Sequence, residues 1–363
     1  MPHTIEKREV QKGRMNANAK AMSFEILRQF PGSEIEKAWR DCLARVDFPS
    51  HYNTPEYFYE PYWPEKPRFA VLALEESRVT GILTGMHDGN RIMCGLPSRP
   101  QICVDPSSNT TAALDALARG VLSEARNAEL VAVFTWPSLE LPAFRKLGFK
   151  SRQLPGNVVL DLTQGPEELF KQFSKDRRRN IRFAEKNGIV IEQATTPEQI
   201  KEAYEVYSAW RKTQRKEVRG EGFSFEVFDK AARLTGNRVL MLARLSGKVV
   251  AINIFRYCPG GLFESAANSS LDEFIHLKPN ELLQWRGIEW ACQHGLRRHS
   301  LGGSHQFLTR FGGSIVPILR YRRDQTLFRK HDVRDAVRQA GRETLGKMPP
   351  SVGKKVRKFL GEH

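Results

Sequence analysis

The hydrophobic pattern of the chain spells out one order of elements twice. Residues 23–47 read as a short strand, a Pro-Gly turn and a helix carrying Ile35, Ala38, Trp39, Cys42 and Val46 at helical spacing. The next stretch, FPSHYNTPEYFYEPYWPEKP, holds too much proline for long helices. From Arg68, RFAVLALEESRVTGILTGMHDGNRIMCGL alternates β-rich runs with turn signals at 75–78 and 88–90, the pattern of an antiparallel meander. An alanine-rich helix over 110–127, a buried strand LVAVFTW at 130–136, a short helix in 141–149 and the strand VVLDL at 158–162 close the first set.

The second set begins with a predicted helix over 167–187 and the strand IVIEQA. A helix over 197–213, with Ile200, Tyr204, Tyr207 and Trp210 on one face, precedes a further helical stretch near 224–235. VLMLARLSGKVVAINIFRYCPGGLFESAANSS repeats the meander, with turns at Ser246-Gly247 and Pro259-Gly260-Gly261. A helix over 280–294 and strands at 296–301 and 316–322 complete the repeat. The predicted class is α/β (α+β): two similar domains, each a mixed, mostly antiparallel twisted sheet flanked by helices. The divisions are a leader over 1–22, domains over 23–165 and 166–325, and a basic helical tail over 326–363.

A length of 363 residues suits two cores better than one. No apolar run approaches a membrane span, and the first 22 residues lack the apolar centre of a signal peptide, so the expected location is the cytoplasm. Five cysteines without a CxxC pair and nine histidines without ligand spacing predict reduced thiols and no metal site. Charge changes the picture more. Residues 1–160 hold 20 Lys and Arg against 18 Asp and Glu, whereas 161–363 hold 37 against 23. Clustered cations of this kind suit a polyanionic partner, with a solvated surface as the plain alternative. The tail segment KKVRKFL at 354–360 suits nucleic acid or peripheral contact with an anionic membrane.

Two segments carry a resemblance. Ser174–Gly188 reads SKDRRRNIRFAEKNG, and Lys278–Ser314 reads KPNELLQWRGIEWACQHGLRRHSLGGSHQFLTRFGGS. Their order and spacing resemble the C-terminal acyltransferase domain of the FemAB family, and LPAFRKLGF resembles a common GNAT ending. The resemblance implies two GNAT-like (N-acetyltransferase-like) domains in tandem and transfer of an acyl or aminoacyl group to an amine. It also implies that two central strands splay apart, exposing backbone to the donor, with the next helix offering its N-terminal N–H groups to phosphate.

On that frame Lys278 and Asn280 stand at the helix start, as a donor seat or as simple capping. FESAANSS lies where the splayed strand runs, with Glu264, Asn268 and Ser269 among its polar members. Glu264 is the candidate general base, with a structural ion pair as the alternative. The turn Gly302-Gly303-Ser304-His305 and the run from Phe307 through Phe311, Gly312 and Gly313 match the family's Gly-Gly and Phe-Lys-x-x-Phe-Gly pattern, except that Leu308 replaces the lysine. Arg310 is expected to restore that charge, since two residues along an extended chain share a face. His305 is a candidate proton shuttle or a solvated loop residue. Lys175, Arg177, Arg178, Arg179 and Arg182 form the expected tRNA or phosphate surface, with a solvated face as the alternative, and Trp210, Arg211 and the 212–222 loop read as a lid or a nucleic-acid-facing loop.

The leading expectation is an aminoacyl-tRNA-dependent aminoacyltransferase acting on a small amine, peptide or envelope precursor, with no tightly bound cofactor. The alternatives are an acyl-CoA-dependent N-acyltransferase of the same fold and a non-catalytic binder of nucleic acid or an anionic surface. The sequence leaves the oligomeric state open.

Overall fold

The computed structural model describes residues 22–213 and 223–347. The leader through residue 21, the lid segment 214–222 and the tail from 348, with its 354–360 motif, lie outside the described residues.

The first meander forms as the alternation requires. β1 (Ser23–Leu27), β2 (Arg68–Glu75), β3 (Arg78–Asp88) and β4 (Arg91–Leu96) pair antiparallel in chain order. Two short strands, β5 (Arg99–Pro100) and β6 (Ile102–Val104), pair back onto β4 and β3. α1 (Ser33–Leu43) covers one face of this sheet through Trp39, Cys42 and Leu43. α2 (Thr110–Glu124) covers the other through Leu114, Leu117 and Val121, with Asn109 capping its start. β7 (Leu130–Thr135) then runs parallel to β4, and α3 (Pro142–Lys146) leads into β8 (Lys150–Asp161).

The repeat departs from the expected helix over 167–187, which is two helices. α4 (Gly165–Gln172) ends at Phe173, whose ψ of 145° leaves the helix, and α5 (Lys175–Lys186) restarts at Ser174. Ser174 accepts a bond from the Arg177 N–H, and Phe173 is driven into the core against Trp285 and Phe311, so cap and anchor together break the helix. β9 (Val190–Gln193), α6 (Pro197–Thr213) and α7 (Phe225–Ala232) follow. The second meander is β10 (Arg238–Leu245), β11 (Lys248–Tyr257) and β12 (Leu262–Ser270). α8 (Pro279–Gln293) then crosses over to β13 (Arg298–Ser300), which pairs parallel with β12. A short helix, α9 (Gln306–Thr309), precedes β14 (Ser314–Asp324) and α10 (Lys330–Lys347).

The path of the sheet is β1-β2-β3-β4-β7-β14-β8-β13-β12-β11-β10-β9. β8 leaves the first half to pair with β13, and β14 leaves the second half to pair with β7, while β8 and β14 pair with each other. The halves therefore exchange their last strands and share one sheet. One apolar core lies under α2 and α3, a second around α4, α5 and α8, and a third under α6 and α7. The fold is the α/β arrangement expected from the repeated pattern.

Candidate active site

Each half has one parallel strand pair, and each pair is where a cleft can open. In the first half β4 and β7 stay in register from Arg91/Leu130 to Cys94/Val133. Beyond Cys94 the chain folds back as β5, which pairs with β4 and packs against β7, so the opening is filled by the chain itself. A cavity of about 170 Å³ remains between Phe48, Val104, Thr135 and Trp136. In the second half β12 and β13 are in register from Leu262/Arg298 only to Glu264/Ser300. β12 continues to Ser270 along β11, whereas the chain after Ser300 turns along β8 through Leu301 N–H to Val158 C=O and Val158 N–H to Gly303 C=O. The strands diverge there, and among the described residues the β12 edge from residue 265 has no strand partner on the β13 side.

Glu264 stands on the last paired rung, at the closed end of this cleft. Phe263 points into the core under α8, so strand alternation turns Glu264 to the opposite face, toward the first half. There His51 Nδ1 lies 3.0 Å from Glu264 Oε2, and both side chains are buried. Burial pushes the Glu264 carboxyl above its usual range, against the pull of Arg99 and Arg256. Burial, then Arg256, Arg238 and Arg99, hold His51 well below its usual value, so the imidazole is neutral. Arg256 donates to the Tyr52 hydroxyl at 2.5 Å, Arg99 donates to it at 3.1 Å, and Arg238 pairs with Glu60. Burial also acts to raise the Glu60 carboxyl, but Arg256 and Arg238 outweigh it and hold it below the normal range. The result is a polar cluster joining both halves behind the cleft.

A second polar line runs under the α8 face of β12. Ser265 Oγ donates to Asn253 Oδ1 at 3.1 Å, Asn253 Nδ2 to Gln284 Oε1 at 3.5 Å, and Gln284 Nε2 meets His299 Nε2 at 2.5 Å. His299 Nδ1 donates to the Phe263 carbonyl at 2.9 Å, and burial lowers the ring's pKa to about 4. Every member has one consistent donor or acceptor role, which fixes the strand around Ser265.

The predicted residues divide between this cleft and the surface. Asn268 and Ser269 follow Glu264 on β12, Asn268 half-buried and Ser269 buried with its hydroxyl unpartnered. Asn280 does not cap α8. The helix starts one residue earlier at Pro279, and the Asn280 side chain donates to Ser270 Oγ at 3.1 Å, tying helix to strand. Lys278 takes a left-handed φ of 63° at the N-cap position and gives no side-chain cap. Gly302, Gly303 and Ser304 form the turn after β13, with Gly302 at a φ of 78°.

Three expectations are overturned by burial or local geometry. Arg177 is no phosphate contact: its side chain is 2% exposed, stacked 4.2 Å from the Phe307 ring centroid and 4.3 Å from that of Phe311. Its guanidinium reaches Glu281 at 3.1 Å and donates to the Phe307 carbonyl at 2.8 Å, so it is a buried ion pair under α8. Phe311 is fully buried in the core with Phe173 and so does not face a substrate. Arg310 does not share a face with position 308, because 306–309 is helical and two residues along a helix point to nearly opposite sides. Leu308 packs on the core while Arg310 is exposed, close enough to Arg177 to act on its charge.

His305 is exposed at the start of α9, with its ring 6.2 Å from Phe307. Gly312 and Gly313, at φ of 76° and 80°, shape the turn into β14. Lys175, Arg179 and Arg182 are exposed on α5, and half-buried Arg178 bonds the Lys171 carbonyl. Trp210 and Arg211 are half-buried at the end of α6, Trp210 packed near Tyr207. The residues that sequence reasoning missed are His51, Tyr52, Glu60, Arg99, Arg238 and Arg256. His51 and Glu60 sat inside the proline-rich aromatic stretch, and nothing in its local pattern marked them.

The acetyltransferase (GNAT) domain family matches residues 171–311, the span from α4 to the turn after α9. No curated protein matches the sequence. Among solved structures, that of FemX is similar with a TM-score of 0.62 at 14% identity, over 79% of this chain and 95% of that one. The C-terminal domain of a putative lysylphosphatidylglycerol synthetase from Agrobacterium fabrum gives 0.58 at 14% identity, over 84% and 96%. A tandem GNAT protein from the clavulanic acid biosynthesis pathway gives 0.50 at 13% identity, over 84% and 99%. Residues 171–311 therefore match an acetyltransferase-type (GNAT) domain, and the chain carries the tandem GNAT fold seen in these structures.

Proposed function

We propose that the cleft between β12 and β13 transfers an aminoacyl group from aminoacyl-tRNA to an amine, forming an amide. The observation that carries this reading is the place of Glu264 on the last paired rung, with neutral His51 against it. The unpaired β12 edge beyond residue 264 offers backbone donors and acceptors to an extended donor. The acceptor amine attacks the ester carbonyl, and its proton passes to the Glu264 carboxylate. The carbon–oxygen bond to the ribose breaks, and that proton goes to the leaving ribose oxygen. His51 orients the carboxylate and keeps water from it.

The start of α8 favours tRNA over a CoA diphosphate. Pro279 removes one N–H from the helix start, which leaves one donor fewer there for a diphosphate. The exposed cations of α5 suit a nucleic-acid backbone. The acetyltransferase description of the matched family favours a second reading, transfer from an acyl-CoA thioester in the same cleft.

The test is a pair of titrations of the full chain, with bulk aminoacylated tRNA and with acetyl-CoA, across a range of salt, followed by assays for labelled amide from each donor. Salt-steep tRNA binding with labelled amide from aminoacyl-tRNA supports the proposal. Acetyl transfer with weak tRNA binding replaces it with the acyl-CoA reading.

A further inference from the structure

The two most exposed large apolar side chains of the described residues are adjacent, at the corner between β14 and α10. Leu327 is 88% and Phe328 82% exposed, and Val333 and Val337, one helical turn apart on α10, are 57% and 67% exposed. A soluble surface seldom groups such residues, because each costs hydration free energy that burial would recover. The acids of this region are held in a helix cap and in ion pairs. Asp324 caps the start of α10 by accepting from the N–H groups of His331 and Asp332. Asp332 pairs with Lys150 and Arg322, Asp335 with Arg320 and Arg322, and Glu129 with Lys330 and His331.

The exposed groups left without such a partner are apolar and cationic. Arg329 and Arg334 are exposed beside the four apolar residues, and among the described residues neither has a carboxylate partner. Next to Leu327 an open cleft of about 840 Å³ is lined by six cations, Arg126, Arg323 and Arg329 among them, against the carboxylates of Glu129, Asp324 and Asp332. We propose that this corner docks on an anionic phospholipid bilayer, with Leu327 and Phe328 entering the headgroup and acyl boundary and the basic cleft receiving lipid phosphate.

Charge and chemistry select this occupant. The sequence after residue 347 carries Lys354, Lys355, Arg357 and Lys358 against Glu362, a charge of the same sign as the basic rim and not complementary to it. A second copy would bring the same cations face to face. A nucleic-acid backbone would use the arginines but leave the leucine and phenylalanine in water, whereas a bilayer uses both. The inference is independent of the donor and acceptor assigned to the cleft.

The full chain is sedimented with vesicles of phosphatidylcholine, with and without phosphatidylglycerol, and compared with Leu327→Ser/Phe328→Ser and Arg329→Gln/Arg334→Gln. Both pairs are surface changes that leave the core intact, which circular dichroism checks. Binding is expected only to the vesicles containing phosphatidylglycerol. It should weaken about fivefold per arginine removed, and about tenfold or more in the apolar double variant. Equal binding to both vesicle types, or anionic-vesicle binding untouched by the apolar pair, overturns the proposal. So does a dimer in sedimentation velocity that the apolar pair converts to monomer.

Discussion

At the residue scale, Glu264 and Arg177 show how burial separates chemistry from support. Both were candidates for contact with a substrate, and both are buried, but Glu264 faces a neutral histidine at the closed end of a diverging strand pair while Arg177 is closed in by two rings and a carboxylate. Glu264→Gln keeps the shape and removes the proton acceptor, so transfer should fall by about 100-fold to 10,000-fold. In the parent the rate should rise with pH through the raised Glu264 pKa, because only the carboxylate accepts a proton. The stability effect has the opposite sign. Between the unfolded carboxyl's pKa and the raised folded value, the folded state binds more protons, so stability falls as pH rises through that window. The glutamine variant should therefore lose this dependence and melt higher than the parent at neutral pH. A lower melting temperature with retained transfer would falsify the base assignment. Arg177→Met leaves the buried Glu281 carboxylate without its cation and should cost about 3–5 kcal/mol in urea unfolding, with part recovered in Arg177→Met/Glu281→Gln. Arg179→Gln and Arg182→Gln, on the exposed side of α5, should leave the urea midpoint in place and flatten the salt dependence of tRNA binding by about one log-log unit per lost contact.

At the scale of elements, the turn from α9 into β14 shows a sequence motif whose role is packing. Phe311 fills the core beside Phe173, and Gly313 then turns at a φ of 80° so close to β8 that a Cβ would lie 2.5 Å from the Val159 carbonyl oxygen. Gly313→Ala should therefore cost about 2 kcal/mol or more, read as a lower urea midpoint, whereas a parental midpoint would show that the turn can shift. Strands and turns were legible because alternation and Gly-containing turns are local signals; Ser246-Gly247 and Gly260 turn with positive φ where the pattern placed them. The break at Phe173-Ser174 was hidden because helical spacing continues across it, and only the tertiary anchor of Phe173 decides the matter. The site was half legible for the same reason. Glu264, Asn268 and Ser269 lie on one strand and could be read together, but His51 meets Glu264 across 213 residues of sequence and no local pattern carries that contact.

At the scale of the whole molecule, the exchange of β8 and β14 makes the two halves a single mechanical unit, and this bears on the site. β13, which carries the closed end of the cleft, rests on β8 from the first half, and Glu264 rests on His51 from the same half. A fragment of residues 166–363 would expose the unpaired edges of β13 and β14 and leave Glu264 beside a solvent-filled gap in place of His51 and Tyr52. It should therefore be aggregated or partly unfolded by circular dichroism and hydrogen exchange when made alone. Made together with residues 1–165 it should form a soluble complex, because the exchanged strands supply each edge and the polar cluster reforms. The intact chain should in turn unfold in one cooperative transition, with variants that keep only Trp136 or only Trp285 of the six tryptophans reporting the same midpoint. Two separate transitions, or a 166–363 fragment that folds and transfers alone, would mean that the second half owns its active site and the first half is an appendage.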